Sequence, residues 1–297
     1  MKKLYMMLMV LVVFFAFVAC SANNIPERPA EMGNVESPID VTQPEQEDSS
    51  LLLEQVTWEH LTQKTLPEDS AWLKETNQVS LVAAIEEEDI YLYCLHNGHP
   101  WGGEGVILQY GETFQTYPLW CLVKYGYPVL QSGDIDADGE EELLLIIGRS
   151  GGTGLYIENL YVFEPDGDGY TCVALETTQI ATLINEQVSF DWLDDSTLQA
   201  CQTGAETDML AAKNETMLTD HISFDVEADA VTLSTSVQVI NEDGQWKYLC
   251  DYIDNPAIDK GNCAAAEHIH TVEAEVAYDG QAFSLVNLHF EEAERVE

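Results

Sequence analysis

The sequence predicts a mainly β fold of antiparallel hairpins and sheets, with a few short helices as a minor α+β component. Three observations carry this. Runs rich in Val, Ile, Leu, Tyr and Phe, four to eight residues long, recur from Val79 onward. Glycine-containing turns part them at hairpin spacing, at Gly111, at Asp166-Gly167-Asp168-Gly169 and at Asp279-Gly280. Apolar residues make up 46 % of the chain, and 13 Tyr, 9 Phe and 6 Trp are enough for a core, which excludes a wholly disordered chain despite 53 acidic residues.

Residues 1–19 read as a signal peptide. Lys2 and Lys3 precede an apolar run from Leu4 to Ala19, too short for a comfortable membrane span. The run closes on Phe17-Val18-Ala19-Cys20, which resembles the lipobox of bacterial lipoproteins. The resemblance implies cleavage before Cys20, lipidation of its thiol and a membrane-anchored protein on the extracytoplasmic face. An ordinary signal peptide with an incidental cysteine is the alternative. Residues 20–50, with four prolines, no aromatic residue and mostly acidic charge, form an acidic flexible linker. Its r.m.s. reach is roughly 30 Å.

Residues 51–297 read as a single globular mainly β domain, with two sub-lobes meeting near 190–205 as the alternative. "LLLEQVTWEHLTQ" has helical spacing, and "LPEDSAWLKE" suggests a second short helix with Pro67 in its first turn. "VSLVAAI" and "DIYLYCL" predict paired strands, and "EGVILQYGETFQTYPLWCLV" a hairpin. Strands at "YPVLQSGD" and "ELLLIIG", a hairpin over "IENLYVFEPDGDGYTCVAL" and a helix over "TTQIATLINEQ" follow. The last third predicts strands in "HISFDVEADAVTLSTSVQVI", "WKYLCDYI" and "VEAEVAYDGQAFSLVNLHF". Six cysteines lie beyond Cys20, namely Cys94, Cys121, Cys172, Cys201, Cys250 and Cys263. They allow three disulfides, with Cys250 and Cys263 the pair closest in sequence, or buried free thiols. None forms a CxxC.

Removing Lys2 and Lys3 with the signal leaves 9 of 11 Lys and Arg against 53 Asp and Glu, a net charge near −44. Such a chain repels nucleic acid and anionic headgroups and attracts cations. The repulsion peaks in "GDIDADGEEELLLIIG", where six carboxylates fall within Asp134–Glu142 and run into a strand-like apolar segment. A calcium ion takes six to eight oxygen ligands from a loop that can curl around it. Alternate side chains in a curled loop point to one centre, so Asp134, Asp136 and Asp138 supply three carboxylates. Gly139 lets the chain turn, the Glu140 carbonyl can face the ion, and Glu142 returns at the ninth position. An EF-hand is excluded because position twelve is Leu145 and the flanks are strand-like. The alternative is a solvated acidic turn without an ion.

This strand–loop–strand unit resembles the loops of FG-GAP and VCBS-type repeats, which usually read GDFDGDG where Ile135 and Ala137 stand here. The order of "GVILQYGETFQTYPLW", "GDIDADGEEELLLIIG" and "GGTGLYIENLYVFEPDGDG" is similar to that in uncharacterised secreted proteins and lipoproteins of Clostridia-like bacteria. The likeness spans roughly residues 79–290, with the repeat-like unit at about 104–175. It implies Ca2+ as cofactor, a β fold and an extracellular address, but no activity. One full loop is present, so a complete propeller is not expected.

Other constellations are weaker. "GRSGGTG" lacks the Lys-Ser/Thr ending of a phosphate loop and joins strands. His96, His99, His268 and His270 match no zinc motif, and no hydrolase signature occurs. Trp101, Tyr117, Trp120, Tyr125 and Tyr127 read either as a sugar-binding face or as cross-strand packing. The sequence thus supports a non-catalytic cell-surface lipoprotein with a calcium-stabilised β domain. It would sit on the membrane through Cys20 and meet an unidentified protein or glycan, with no nucleic acid partner. A Ca2+-dependent carbohydrate-binding module and an extracellular hydrolase are the alternatives.

Overall fold

Strands dominate the structure, a computed structural model that describes residues 50–67, 73–74, 76–152, 155–192, 198–202, 209–210, 220–227, 230–242, 245–250 and 264–290. In chain order the first strands are β1 (Val79–Ile85), β2 (Ile90–Leu95), β3 (Gly102–Gly103), β4 (Val106–Tyr110), β5 (Thr113–Tyr117) and β6 (Cys121–Leu122). A meander follows, β7 (Val129–Gly133), β8 (Glu142–Gly152), β9 (Leu155–Asp166) and β10 (Gly169–Leu175). Then come the helix α1 (Thr177–Asn185) and a small three-stranded sheet of β11 (Val188–Trp192), β12 (Leu198–Gln202) and β13 (Met209–Leu210). The chain returns in β14 (Asp220–Glu227), β15 (Ala230–Glu242), β16 (Gln245–Leu249), β17 (Ala264–Tyr278) and β18 (Phe283–Phe290).

A four-stranded antiparallel sheet runs in the order β1-β2-β4-β5. A larger sheet of 11 strands runs β18-β17-β15-β14-β9-β8-β6-β3, with β7, β10 and β16 attached to β8, β9 and β15. Its pairs are antiparallel except one. β14 meets β9 in parallel, Asp220 opposite Leu155, so two antiparallel halves join at one parallel seam.

The apolar run of β8 has a direct cause. Leu144 and Ile146 enter one core cluster, with α1 and the C-terminal strands, while Leu143, Leu145 and Ile147 enter a second cluster between the two sheets. A strand buried on both faces cannot alternate polar and apolar residues. β2 follows the same rule. Ile90, Leu92 and Cys94 face the second cluster, and Tyr91, Tyr93 and Leu95 face a third on the other side of the four-stranded sheet. At α1, Ile180 and Ile184 seat the helix on the first core, and the Asn185 side chain exchanges hydrogen bonds with the backbone of Tyr248 at 2.7 and 2.8 Å.

The segment that opens the described chain departs from expectation. Instead of one helix over "LLLEQVTWEHLTQ" there are two 3₁₀ turns, Leu53–Gln55 and Trp58–His60. Gln55 Oε1 accepts the Leu52 N–H at 3.0 Å and His60 Nδ1 accepts the Thr57 N–H at 3.0 Å, closing each turn after three residues. β-branched Val56 stays extended between them, and Val56 and Leu61 are buried against the four-stranded sheet. Docking onto the sheet therefore outweighs helical spacing. The second expected helix falls largely on residues outside those described. Among the described cysteines, Cys94, Cys121 and Cys172 are free thiols, the alternative to disulfides. Cys263 and the Cys201 side chain lie outside the described residues, as do the signal peptide, Cys20 and the linker up to residue 49.

Candidate metal centre

β7 and β8 are antiparallel neighbours whose register ends at Gly133 opposite Glu142. Everything between, Asp134 to Glu141, is a loop closing one end of a hairpin. The flanks are strands, as the comparison with EF-hands required.

The loop is organised by its own carboxylates. Asp134 Oδ1 accepts the Gly139 N–H at 3.2 Å, Asp136 Oδ1 accepts the Asp138 N–H at 3.0 Å, and Asp138 Oδ1 accepts the Glu140 N–H at 2.8 Å. Ala137 and Gly139 adopt positive φ, 64° and 97°, which curls the backbone inward. Carboxylate oxygens from Asp134, Asp136 and Asp138 then lie within 4.8 Å of one another. Among the described residues no other trio of His, Cys, Asp or Glu comes close enough to share an ion. Three charges at that spacing repel strongly unless a cation stands between them.

Glu140 is exposed and its amide is engaged by Asp138. Glu142 is 1 % exposed and lies outside the aspartate trio. Its Oε2 accepts the Ile135 N–H at 2.7 Å, fixing the start of the loop, and its Oε1 is buried without a partner. Burial, with Glu164 and Asp136 nearby, pushes the Glu142 carboxyl above its ordinary range. An unpaired buried carboxylate is costly, and a cation would relieve it.

Three participants, Glu164, Tyr278 and Gly280, escape sequence reading. Glu164 on β9 also has a buried, unpartnered oxygen, and burial raises its pKa, reinforced by Asp136, Asp138 and Glu140. The Tyr278 hydroxyl stands beside it, near enough to affect its acidity but outside hydrogen-bond geometry. The turn after Tyr278 closes over the loop. A Cβ on Gly280 would collide with Asp136 Oδ2, and Gly280 has φ 81°. In sequence, Asp279-Gly280 signals only a hairpin. Its nearness to Asp136 arises from a fold that brings residues far apart in the chain together.

The remaining candidates separate cleanly. Asp166 accepts the Thr171 hydroxyl at 3.1 Å and the Asp168 carbonyl accepts the Tyr110 hydroxyl at 3.0 Å, so that turn carries no ion cluster. His96 is buried against Ser80 at 3.0 Å, and burial lowers its pKa. The side chains of His268 and His270 lie outside the described residues. Tyr117 packs edge-on to Phe163 and its hydroxyl donates to the Tyr170 carbonyl at 2.9 Å, while Tyr127 donates to the Pro67 carbonyl at 3.3 Å. These two belong to the packing, whereas Trp101, Trp120 and Tyr125 are exposed.

Fold and loop together define a mainly β protein of three sheets whose described residues hold one acidic strand–loop–strand turn with clustered aspartates. Comparison with known proteins gives no matching family model, no curated relative and no matching solved structure.

Proposed function

We propose that the protein is a non-catalytic lipoprotein of the cell surface, held by a lipid on Cys20, whose β domain is stabilised by Ca2+ and serves in binding or envelope interaction. The observation that carries the calcium reading is the aspartate trio, in a loop whose start is held by the buried, half-satisfied Glu142. Asp134, Asp136 and Asp138 would bind through side chains, Glu140 through its carbonyl, with Glu142 holding the loop. The oxygen-only donor set suits a hard cation, and a loop of this freedom suits the larger, more adaptable Ca2+ shell over Mg2+. The strand–loop–strand context supports the resemblance to FG-GAP and VCBS-type loops.

Two experiments test the reading. Titration calorimetry should find one Ca2+ per chain, weakened at least tenfold in Asp138→Ala, with weaker Mg2+ binding. No heat in either metal removes the calcium claim. Cells labelled with palmitate should mark wild type and not Cys20→Ala, which should move to the medium or stay as precursor. Equal membrane fractionation without label in either form removes the anchor.

A further inference from the structure

Three separated segments converge on a cleft of about 680 Å3. Trp101 and Glu104 flank β3, Trp120 and Lys124 flank β6, and Arg149 and Ser150 lie on β8. The sheet brings them together, with Gly102 opposite Leu122 and Leu122 opposite Gly148. Trp101 is 41 % and Trp120 37 % exposed. Lys124 Nζ stands 4.8 Å from the Trp101 ring centre and 5.1 Å from that of Tyr125. Cation–π attraction therefore holds the ammonium at the cleft. The Tyr125 ring rests on the backbone of Gly151, where a Cβ would strike it.

Charge placement here runs against composition. The chain has 11 Lys and Arg for 53 acidic residues. The cations among the described residues are Lys64, Lys74, Lys124, Arg149 and Lys247. Two of these five line one cleft, where Glu104 is the one carboxylate among the described lining residues.

We propose that this cleft binds an oligosaccharide bearing carboxylates, a uronate-type glycan, with sugar rings against Trp101 and Trp120 and the carboxylates on Lys124 and Arg149. Indole offers a flat apolar face with low entropy cost on binding, which suits the C–H face of a pyranose ring. The guanidinium fork matches a carboxylate. Glu104 and Ser150 supply an acceptor and a hydroxyl for sugar hydroxyls. An acidic peptide fits less well, because β6 is paired on both sides, to β3 and to β8, and the sheet ends in β3, whose two residues are too short an edge for strand addition. The assignment rests on the protein being a binder and not on the calcium loop, which lies at the other end of β8.

The test uses the detergent-solubilised full chain and tetramers of galacturonate, glucuronate and mannuronate, their methyl esters and tetraglutamate. At least one uronate tetramer should bind, and its ester should bind about tenfold more weakly. Trp120→Ala should cost about tenfold or more, as truncated aromatic anchors do. Lys124→Gln and Arg149→Gln should each erase most of the preference for acid over ester. Unchanged melting temperatures in the variants exclude misfolding as the cause. The proposal is overturned by no uronate binding at millimolar concentration, by binding that survives Trp120→Ala and Arg149→Gln, by equal binding of ester, or by equal binding of tetraglutamate. Cleavage of a bound uronate would support the cleft and contradict the non-catalytic reading, so the two can fail separately.

Discussion

The two ends of β8 carry opposite chemistry. At the N-terminal end, Glu142 holds the start of a loop of three clustered aspartates. At the other end, Arg149 joins Lys124 and two exposed indoles. Seven residues at about 3.3 Å each separate Glu142 from Arg149, about 23 Å. The acidic end is one contiguous loop holding charges that destabilise each other. The cationic end is assembled from three segments, with Lys124 and Arg149 half-buried in the wall of the cleft. Stability should therefore respond to changes at the first end and hardly at the second, while binding should respond at both.

The largest effect is expected at Gly280. Gly280→Val puts a branched side chain at φ 81° and drives it into Asp136. About 2–4 kcal/mol should be lost in urea unfolding, and the response to Ca2+ should shrink with it. Gly167→Ala is the control, since Gly167 has φ 63° but nothing within 4 Å of its would-be Cβ. It should cost about 1 kcal/mol and leave the Ca2+ response intact. If both lose equally and Gly280→Val keeps its Ca2+ response, the turn does not support the ion loop.

A smaller effect of opposite sign is expected at Ala137, held at φ 64°. Ala137→Gly should relieve roughly 1 kcal/mol of left-handed strain and lose part of it to the freer unfolded chain, leaving a net gain of about 0.5 kcal/mol. A net loss would mean that the strain is absent. Smallest of all, Trp120→Ala should shift stability by no more than about 0.5 kcal/mol. A loss several times larger would make Trp120 a structural residue and break the contrast between the two ends.

The contrast also governs what the sequence discloses. Asp134, Asp136, Asp138 and Gly139 are contiguous, so local spacing reveals them, and the same holds for the hairpins turning at Gly111, Gly167 and Gly280. The unbroken apolar run of β8 is legible for the same reason, since two-sided burial leaves no polar positions. Glu164, Tyr278 and Gly280 join the loop only through sheet order, which no local pattern encodes. The same is true of the cleft. Trp101, Trp120 and Tyr125 look like Tyr117 and Tyr127 in sequence, and only the fold divides the exposed rings from the half-buried ones. The failed helix near Val56 shows the converse, a local period overruled by docking onto a sheet.

The central claim is that calcium, and not general screening of negative charge, holds the acidic end together. Thermal unfolding of wild type, Asp134→Ala and Asp166→Ala at fixed ionic strength, with Ca2+ or Mg2+ at about 10 mM, tests it most directly. Extracellular calcium modules bind at roughly 10⁻⁴–10⁻³ M, which at that concentration gives about 1.4–2.7 kcal/mol of stabilisation. For a domain of this size that is a rise of about 3–10 °C in melting temperature. The predicted result is this rise in wild type and Asp166→Ala with Ca2+, a smaller one with Mg2+, and little in Asp134→Ala. An equal rise with both metals, or a full rise in Asp134→Ala, would contradict it.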